Sequence, residues 1–204
     1  TSATFPSSCA NPVTCNLPTS TTDANGNVTN YTWNATHGGL VSVEAPAPNP
    51  GDPRPKMTVQ YQKYRARFYN ASGTLVQGDA IDLPSGTRQC RTASSCLTQA
   101  DELKTSVSYT SSGAHDLNVR EVSHGSGTGA SDITADYTYT ALGNVATTDG
   151  PIAGTGDTTF YHYDDLGRVT GVISPDPDQS GFLPRLTTRT TYNDDGQVTK
   201  TENG

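Results

Sequence analysis

Short stretches of strict alternation organise this chain. In Tyr161-His162-Tyr163 the two rings fall on one side of an extended strand and the histidine on the other. Beyond Gly167 the same period of two resumes in Val169, Gly171 and Ile173. The residues between carry the chemistry of a reversal: the Asp164 side chain can bond the backbone two residues on, and Gly167 supplies a positive φ. The pattern predicts strand, tight turn, strand.

The same string recurs: aromatic, x, aromatic, Asp/Asn/Thr, x, x, Gly, x, apolar. Tyr137-x-Tyr139-Thr140-x-x-Gly143-Asn144-Val145 matches Tyr161-x-Tyr163-Asp164-x-x-Gly167-Arg168-Val169 nearly position for position. The run Thr190-Thr191-Tyr192-Asn193-x-x-Gly196-Gln197-Val198 lacks only the first ring. Looser versions are Arg67-Phe68-Tyr69-Asn70-x-x-Gly73-Thr74-Leu75 and, with one inserted residue, Tyr31-x-Trp33-Asn34 through Gly38-Gly39-Leu40. Asp23-Ala24-Asn25-Gly26-Asn27-Val28 and Tyr109-Thr110-Ser111-Ser112-Gly113 are half copies. Tyr139 and Tyr163 lie 24 residues apart, and Tyr163 and Tyr192 lie 29 apart, enough for two strands and two connections but too few for a crossover helix. The sheet is therefore expected to be antiparallel. Because a lone hairpin is marginal in water, such units must pair edge to edge.

Composition fits strands and turns. Of 204 residues 32% are hydrophobic, with 20 Gly and 13 Pro, and mean hydropathy is −0.57, too polar for stacked amphipathic helices. Ten Tyr against four Phe and one Trp make tyrosine the expected packing residue. A net charge of −7 argues against nucleic acid, and the loose cluster Arg54, Lys56, Lys63, Arg65 and Arg67 reads as a solvated face. No apolar run reaches the length of a membrane span. With neither a leader nor an initiator Met, the chain reads as a mature product or an excised piece of something larger. Four cysteines fall in two pairs of equal spacing, Cys9 with Cys15 and Cys90 with Cys96. The spacing is wrong for zinc; of three disulfide connectivities, two local loops are preferred, and they imply an oxidising compartment.

The string Tyr161-x-Tyr163-Asp164-x-x-Gly167-Arg168-Val169 resembles the signature of the Rhs or YD repeat. The likeness is clearest over residues 131–204 and 19–45 and weaker between. It divides the chain into a Cys-bracketed loop with a first repeat (1–45), degenerate repeats with a Pro-rich loop and a second Cys loop (46–130), and tandem repeats (131–204). The resemblance implies an all-β fold of antiparallel hairpin repeats forming a continuous twisted or spiralling sheet with negligible helix. In larger members that sheet closes into a hollow shell around a toxic C-terminal domain, or belongs to a cell-surface adhesive protein. The residues that match are Tyr31, Trp33, Gly38, Phe68, Tyr69, Gly73, Tyr137, Tyr139, Gly143, Tyr161, Tyr163, Asp164, Gly167, Arg168, Tyr192, Asn193 and Gly196. A closed shell needs far more repeats than this segment holds, and the family's paired Asp-Pro-x-Gly cleavage segment has no counterpart in Ser174-Pro175-Asp176-Pro177-Asp178, so the toxin, the cleavage and the encapsulation are not carried over.

Candidates for chemistry are few. His37, His115, His124 and His162 are scattered, none beside a nucleophile motif. Asp164-Asp165 and Asp194-Asp195 read as turn residues. Asp176, Asp178 and Ser180 resemble the first half of a calcium loop, but the twelfth position is Thr187 where a Glu is needed. Asn27, Asn30, Asn34 and Asn70 head glycan-acceptor triplets of the kind a Ser/Thr/Asn-rich chain generates by chance. The expectation is a secreted or surface-exposed bacterial scaffold with no catalytic residue and no cofactor. Its partners are copies of itself or adjoining repeats, joined through strand edges. The rival readings are a carbohydrate-binding module stacking sugars on exposed rings, part of a toxin-encapsulating shell, and, least supported, an enzyme.

Overall fold

A computed structural model of the protein describes residues 1–90, 96–111, 117–129, 132–179 and 181–204. Among these described residues the regular elements are strands, fourteen in one open antiparallel sheet, each bonded to the next in sequence. This is the all-β hairpin order that the alternation predicts. His115, Ser180 and the end of the half copy at Ser112-Gly113 lie outside the described residues.

The chain divides into two compact units. The first, Thr1–Val107 with Ser123–Asp132, holds β1 (Ser2–Thr4), β2 (Ser20–Thr22), β3 (Val28–Trp33), β4 (Leu40–Glu44), β5 (Lys56–Tyr69), β6 (Leu75–Cys90), most of β7 (Glu102–Tyr109) and the end of β8 (Val119–Ser126). The second, Ser108–Val122 with Ile133–Gly204, holds the start of β8, then β9 (Ile133–Tyr139), β10 (Val145–Asp149), β11 (Thr159–Tyr163), β12 (Val169–Ile173), β13 (Thr187–Tyr192) and β14 (Val198–Asn203).

One turn recurs in both. At Asp164 the carboxylate accepts the amides of Leu166 (3.0 Å) and Arg168 (2.9 Å). The Asp164 amide donates to the Arg168 carbonyl (3.0 Å) and the Gly167 amide to the Asp164 carbonyl (2.9 Å). Gly167 stands at φ +77°, so a type I turn closes on a left-handed residue and its twist matches the strands. Asp23, Asn70, Thr140 and Asn193 build the same reversal with Gly26, Gly73, Gly143 and Gly196, all at positive φ. Asn34 does so with one extra residue before Gly38. The Asx or Thr side chain satisfies backbone donors that a three-residue loop would leave unpaired.

A second irregularity accompanies the turn. In β3–β4, β9–β10, β11–β12 and β13–β14 the register slips by one directly after the first pair: Tyr163 faces Val169 but His162 faces Gly171, and Trp33–Leu40, Tyr139–Val145 and Tyr192–Val198 behave alike. Such a bulge bends the return strand and raises its twist. The hairpin β5–β6 departs from this. It is far longer, runs regularly from Tyr69–Leu75 to Arg67–Gln77, and slips only beyond Arg67 and again between Gln60 and Tyr61.

The core is thin. Among the described residues the buried apolar side chains are Cys90, Cys96 and Leu117, while many rings and β-branched residues of the sheet faces are half-buried and others, such as Phe68, Tyr69, Ile81, Ile133 and Val198, are exposed. The chain exposes 12777 Å², against about 9,000 Å² for a folded monomer of this mass. Polar contacts supplement the core in the first unit. The buried Glu102 carboxylate takes the Arg88 guanidinium (2.9 Å) and the Thr98 amide (2.7 Å), closing the loop that the Cys90–Cys96 disulfide ties off.

With so little core, the turns carry measurable stability. Gly167→Ala should cost about 1–2 kcal/mol from the left-handed backbone alone, while Leu166→Ala, at a position 76% exposed, should stay within about 0.5 kcal/mol of the parent. Urea denaturation of both variants checks the difference.

Candidate functional site

The residues that the repeat singles out converge on the seams between hairpins. The backbone ladder joining one hairpin to the next is short: β10 and β11 share two rungs, Thr147–Phe160 and Thr148–Thr159, and β12 and β13 share three, from Gly171–Arg189 to Ile173–Thr187. Towards the turns the bulged return strand leaves the ladder, and a side chain takes over. The Tyr163 hydroxyl donates to the Val145 carbonyl at 2.8 Å, Tyr192 to Val169 at 2.8 Å, and Tyr139 to Val119 at 2.6 Å. Trp33, at the same motif position, donates its indole N–H to the Pro18 carbonyl at 2.7 Å. Each tyrosine before the turn satisfies a carbonyl of the preceding strand, and Trp33 one in the loop two residues before β2.

The residue after the turn glycine extends the contact. Arg168 bonds its own Asp164 (2.7 Å), reaches the Asn193 carbonyl of the next turn (3.3 Å) and lies over the Tyr192 ring, 4.6 Å from its centre. Among the first-position rings, Tyr31 stacks on Trp33 at 6.2 Å and shares a hydrogen bond with Thr21. Tyr137 and Tyr161 are half-buried on the sheet face.

Phe68 and Tyr69 are the exceptions, 50% and 63% exposed. Their turn is intact, with Asn70 accepting the amides of Ser72 and Thr74 at 3.0 Å. However, β5 continues well past its last rung with β4, Ser42–Thr58, so its tip has no preceding hairpin to land on. At the level of the β3–β4 turn the ring is instead Tyr61, packed on His37 at 4.5 Å over Gly39, where any Cβ would meet its hydroxyl.

At the opposite end of the hairpins sit two arginines whose role the sequence reading missed. Arg54 donates to the carbonyls of Ala45 (2.9 Å), Glu44 (3.2 Å) and Val28, clamping the open end of β3–β4. Arg185 does the same for β11–β12 through Thr158 (2.9 Å) and Ser174 (3.4 Å), with Thr155 at 2.6 Å and the Phe160 ring beneath. Arg54 is thus no solvated cation. The available signal was the dipeptide Pro-Arg standing two residues before a strand at both 53–54 and 184–185.

The remaining candidates stay apart. His162 is exposed on the face opposite its flanking tyrosines, and His124 shares a hydrogen bond with Thr105 (3.0 Å). Asp176 and Asp178 are drawn into their own loop: Asp176 accepts the Asp178 amide (3.2 Å) and Asp178 the Leu183 amide (3.0 Å). Among the described residues no group of three or more His, Cys, Asp or Glu side chains is placed to hold a metal ion. Disulfides join Cys9 to Cys15 and Cys90 to Cys96. Among the described residues no helix is long and apolar enough to cross a membrane.

Electrostatics favour the hydrogen-bonded forms. The Asp164 carboxyl titrates below the usual range, first because it accepts the Arg168 amide and further because of the guanidinium beside it. The Tyr139 hydroxyl is pushed up, mainly by burial and also by Tyr137, which keeps it a donor.

Fold and seams together define a class: a sequential antiparallel sheet of β-hairpin repeats, stitched by aromatic donors near the turns and clamped by arginine at the open ends. No protein-family model matches the sequence, nor does any curated protein. Solved structures share the fold. Over 92% of its length the chain superposes on part of a chain in the crystal structure of TcdB2-TccC3-Cdc42, with TM-score 0.54 and 16% identity. The corresponding values are 0.54 and 15% for a mutant form of the Photorhabdus luminescens Tc holotoxin pore, and 0.53 and 15% for TcdB2-TccC3-TEV. The matched stretch is 8% of each of those chains.

Three outcomes follow from the seams. Tyr139→Phe and Tyr192→Phe should each cost about 1–3 kcal/mol by orphaning a carbonyl, whereas Tyr69→Phe should cost almost nothing; thermal or urea unfolding separates them. Asp164 contributes stability that is complete above the ordinary Asp value of 3.8 and is lost as pH falls through its depressed folded value. Asp164→Asn should therefore flatten the acid limb of the stability curve while retaining the turn, as Asn193 does. Under graded reduction, alkylation read by mass spectrometry should trap Cys9 and Cys15 before Cys90 and Cys96, since Cys9 is exposed and Cys96 only 2% accessible.

Proposed function

We propose that this chain is a non-catalytic, extracellular scaffold: a segment of a Rhs/YD-repeat sheet that works by continuing into further repeats at its edges. The observation that carries this is the recurrence of one seam, an aromatic donor on a carbonyl of the preceding strand at Tyr139, Tyr163 and Tyr192 and on the loop carbonyl just before it at Trp33. A sheet built this way has no internal reason to stop, because each hairpin is completed by the next. The two disulfides suit a secreted protein. On this reading the partners are adjoining repeats or further copies, and no cofactor takes part.

A shell enclosing a toxin is the second reading. The fold likeness to chains of TcdB2–TccC3 and of a Tc holotoxin favours it over a free filament, and the small share of those chains that is matched fits a fragment of a longer array. A carbohydrate-binding role draws less support. Two surface clefts of about 370 and 320 Å³ are lined by Asn27, Pro46, Pro50 and Arg54 with their neighbours, and by Lys56, Gln60, Arg88 and Leu97 with theirs; neither presents a ring for a sugar to stack on.

Electron microscopy of the native particle that carries this chain tests the proposal. A hollow shell or extended fibre with β-sheet walls is expected, and the shell would assign the chain to encapsulation. A small discrete particle with this segment folded on its own would reject the scaffold role.

A further inference from the structure

The seams share one register, and that register specifies what the last strand accepts. Taking the aromatic donor as position zero, the residue three before it faces the residue two after the acceptor carbonyl. Asn30 faces Ser20 with Trp33 on Pro18, Phe160 faces Thr147 with Tyr163 on Val145, and Arg189 faces Gly171 with Tyr192 on Val169. The next rung follows suit: Thr29–Thr21, Thr159–Thr148 and Thr188–Val172. In each hairpin the acceptor valine is also the residue paired to the hairpin's own ring, Val145 with Tyr139 and Val169 with Tyr163.

Val198 occupies that position in the last hairpin, paired with Tyr192 and 57% exposed, and every residue of β14 is exposed. We propose that β14 seats an antiparallel strand whose tyrosine, directly before an Asx-x-x-Gly turn, donates its hydroxyl to the Val198 carbonyl, and that Lys200 and Glu202 select which repeat fits. This rests on the scaffold reading above and names the partner's chemistry. It is the continuation of an interface already made three times within the chain.

The shared register sets the incoming residue three before the tyrosine opposite Lys200, the next opposite Thr201, and the one five before opposite Glu202. Like charges directly across a ladder destabilise and opposite charges stabilise. Lys200 and Glu202 are ion-paired with each other at 2.6 Å, and a residue seated opposite either one competes for that pair, so the partner strand carries a neutral or acidic residue at the first of these positions and a neutral or basic one at the last. A second copy of β13 is a poor partner, because it would set Arg189 against Lys200. A strand like β9, with Asp136 three before Tyr139, has the right pattern. The edge thus discriminates against its own hairpin while remaining open to a differently charged repeat, which guards against indefinite self-addition. Beside it, Gln197 stands where Arg168 stands one hairpin earlier, placed to reach the incoming turn as Arg168 reaches Asn193.

The test extends the full chain beyond Gly204 by a copy of residues 174–203 and measures hydrogen exchange at the amides of Val198–Asn203, with β11 and β12 as internal controls of folding. A copy bearing Arg189→Asp should protect those amides at least about tenfold more than the unextended chain. The unaltered copy should protect less. Adding Tyr192→Phe within the Asp-bearing copy should remove about fivefold of the gain, the worth of one neutral hydrogen bond. Equal protection from the Tyr and Phe copies would overturn the Val198 assignment and leave the scaffold reading standing. Equal protection from the Arg and Asp copies would overturn the charge selection. If no copy protects β14, edge continuation fails, and the scaffold reading fails with it.

Discussion

The structure depends on a backbone carbonyl that the sheet itself cannot satisfy. In β10 and β12 a bulge at the start of the return strand twists it away from the following hairpin and leaves the Val145 or Val169 carbonyl outside the ladder, and an unpaired carbonyl in a half-buried seam is costly. An aromatic donor supplies the missing hydrogen. Tyrosine suits the task because its ring covers the sheet face while its hydroxyl reaches across the gap, and the indole of Trp33 does the same. Three of the ten tyrosines play this part, in a chain whose buried apolar side chains, among the described residues, are two cysteines and a leucine.

The two ends of each hairpin solve related problems with different chemistry. Near the turns, Asx side chains satisfy amides and tyrosines satisfy carbonyls. At the open ends, where return strand and connection diverge, Arg54 and Arg185 each gather several carbonyls with one guanidinium, a geometry a lysine could not reproduce. Stability spread over such local sites is a sum over neighbours, without one central core whose loss would unfold everything. A segment of this kind can be lengthened or shortened by whole hairpins.

Much of the fold was legible because its chemistry is local. Asp164 and Gly167 fix their turn within five residues, and the same grammar found Gly26, Gly38, Gly73, Gly143 and Gly196, all of which take positive φ. What the motif could not show is what lies opposite. Tyr69 and Tyr163 read alike, yet one is exposed and the other bonded, because strand length in the neighbouring hairpin decides whether a carbonyl is within reach. The length of β5 and β6 escaped for the same reason: alternation there is interrupted by Gly and Pro, which the bulges accommodate. Arg54 was misread because charge patterning sees a cation and not the three carbonyls that converge on it.

Nearest-neighbour coupling through the tyrosine seam is the central claim, and amide exchange in Tyr163→Phe tests it most directly. The account predicts faster exchange in both hairpins that meet at this seam, β9–β10 and β11–β12, with β3 and β4 unchanged. Exchange that rises uniformly over the chain, or only in β11 itself, would contradict it.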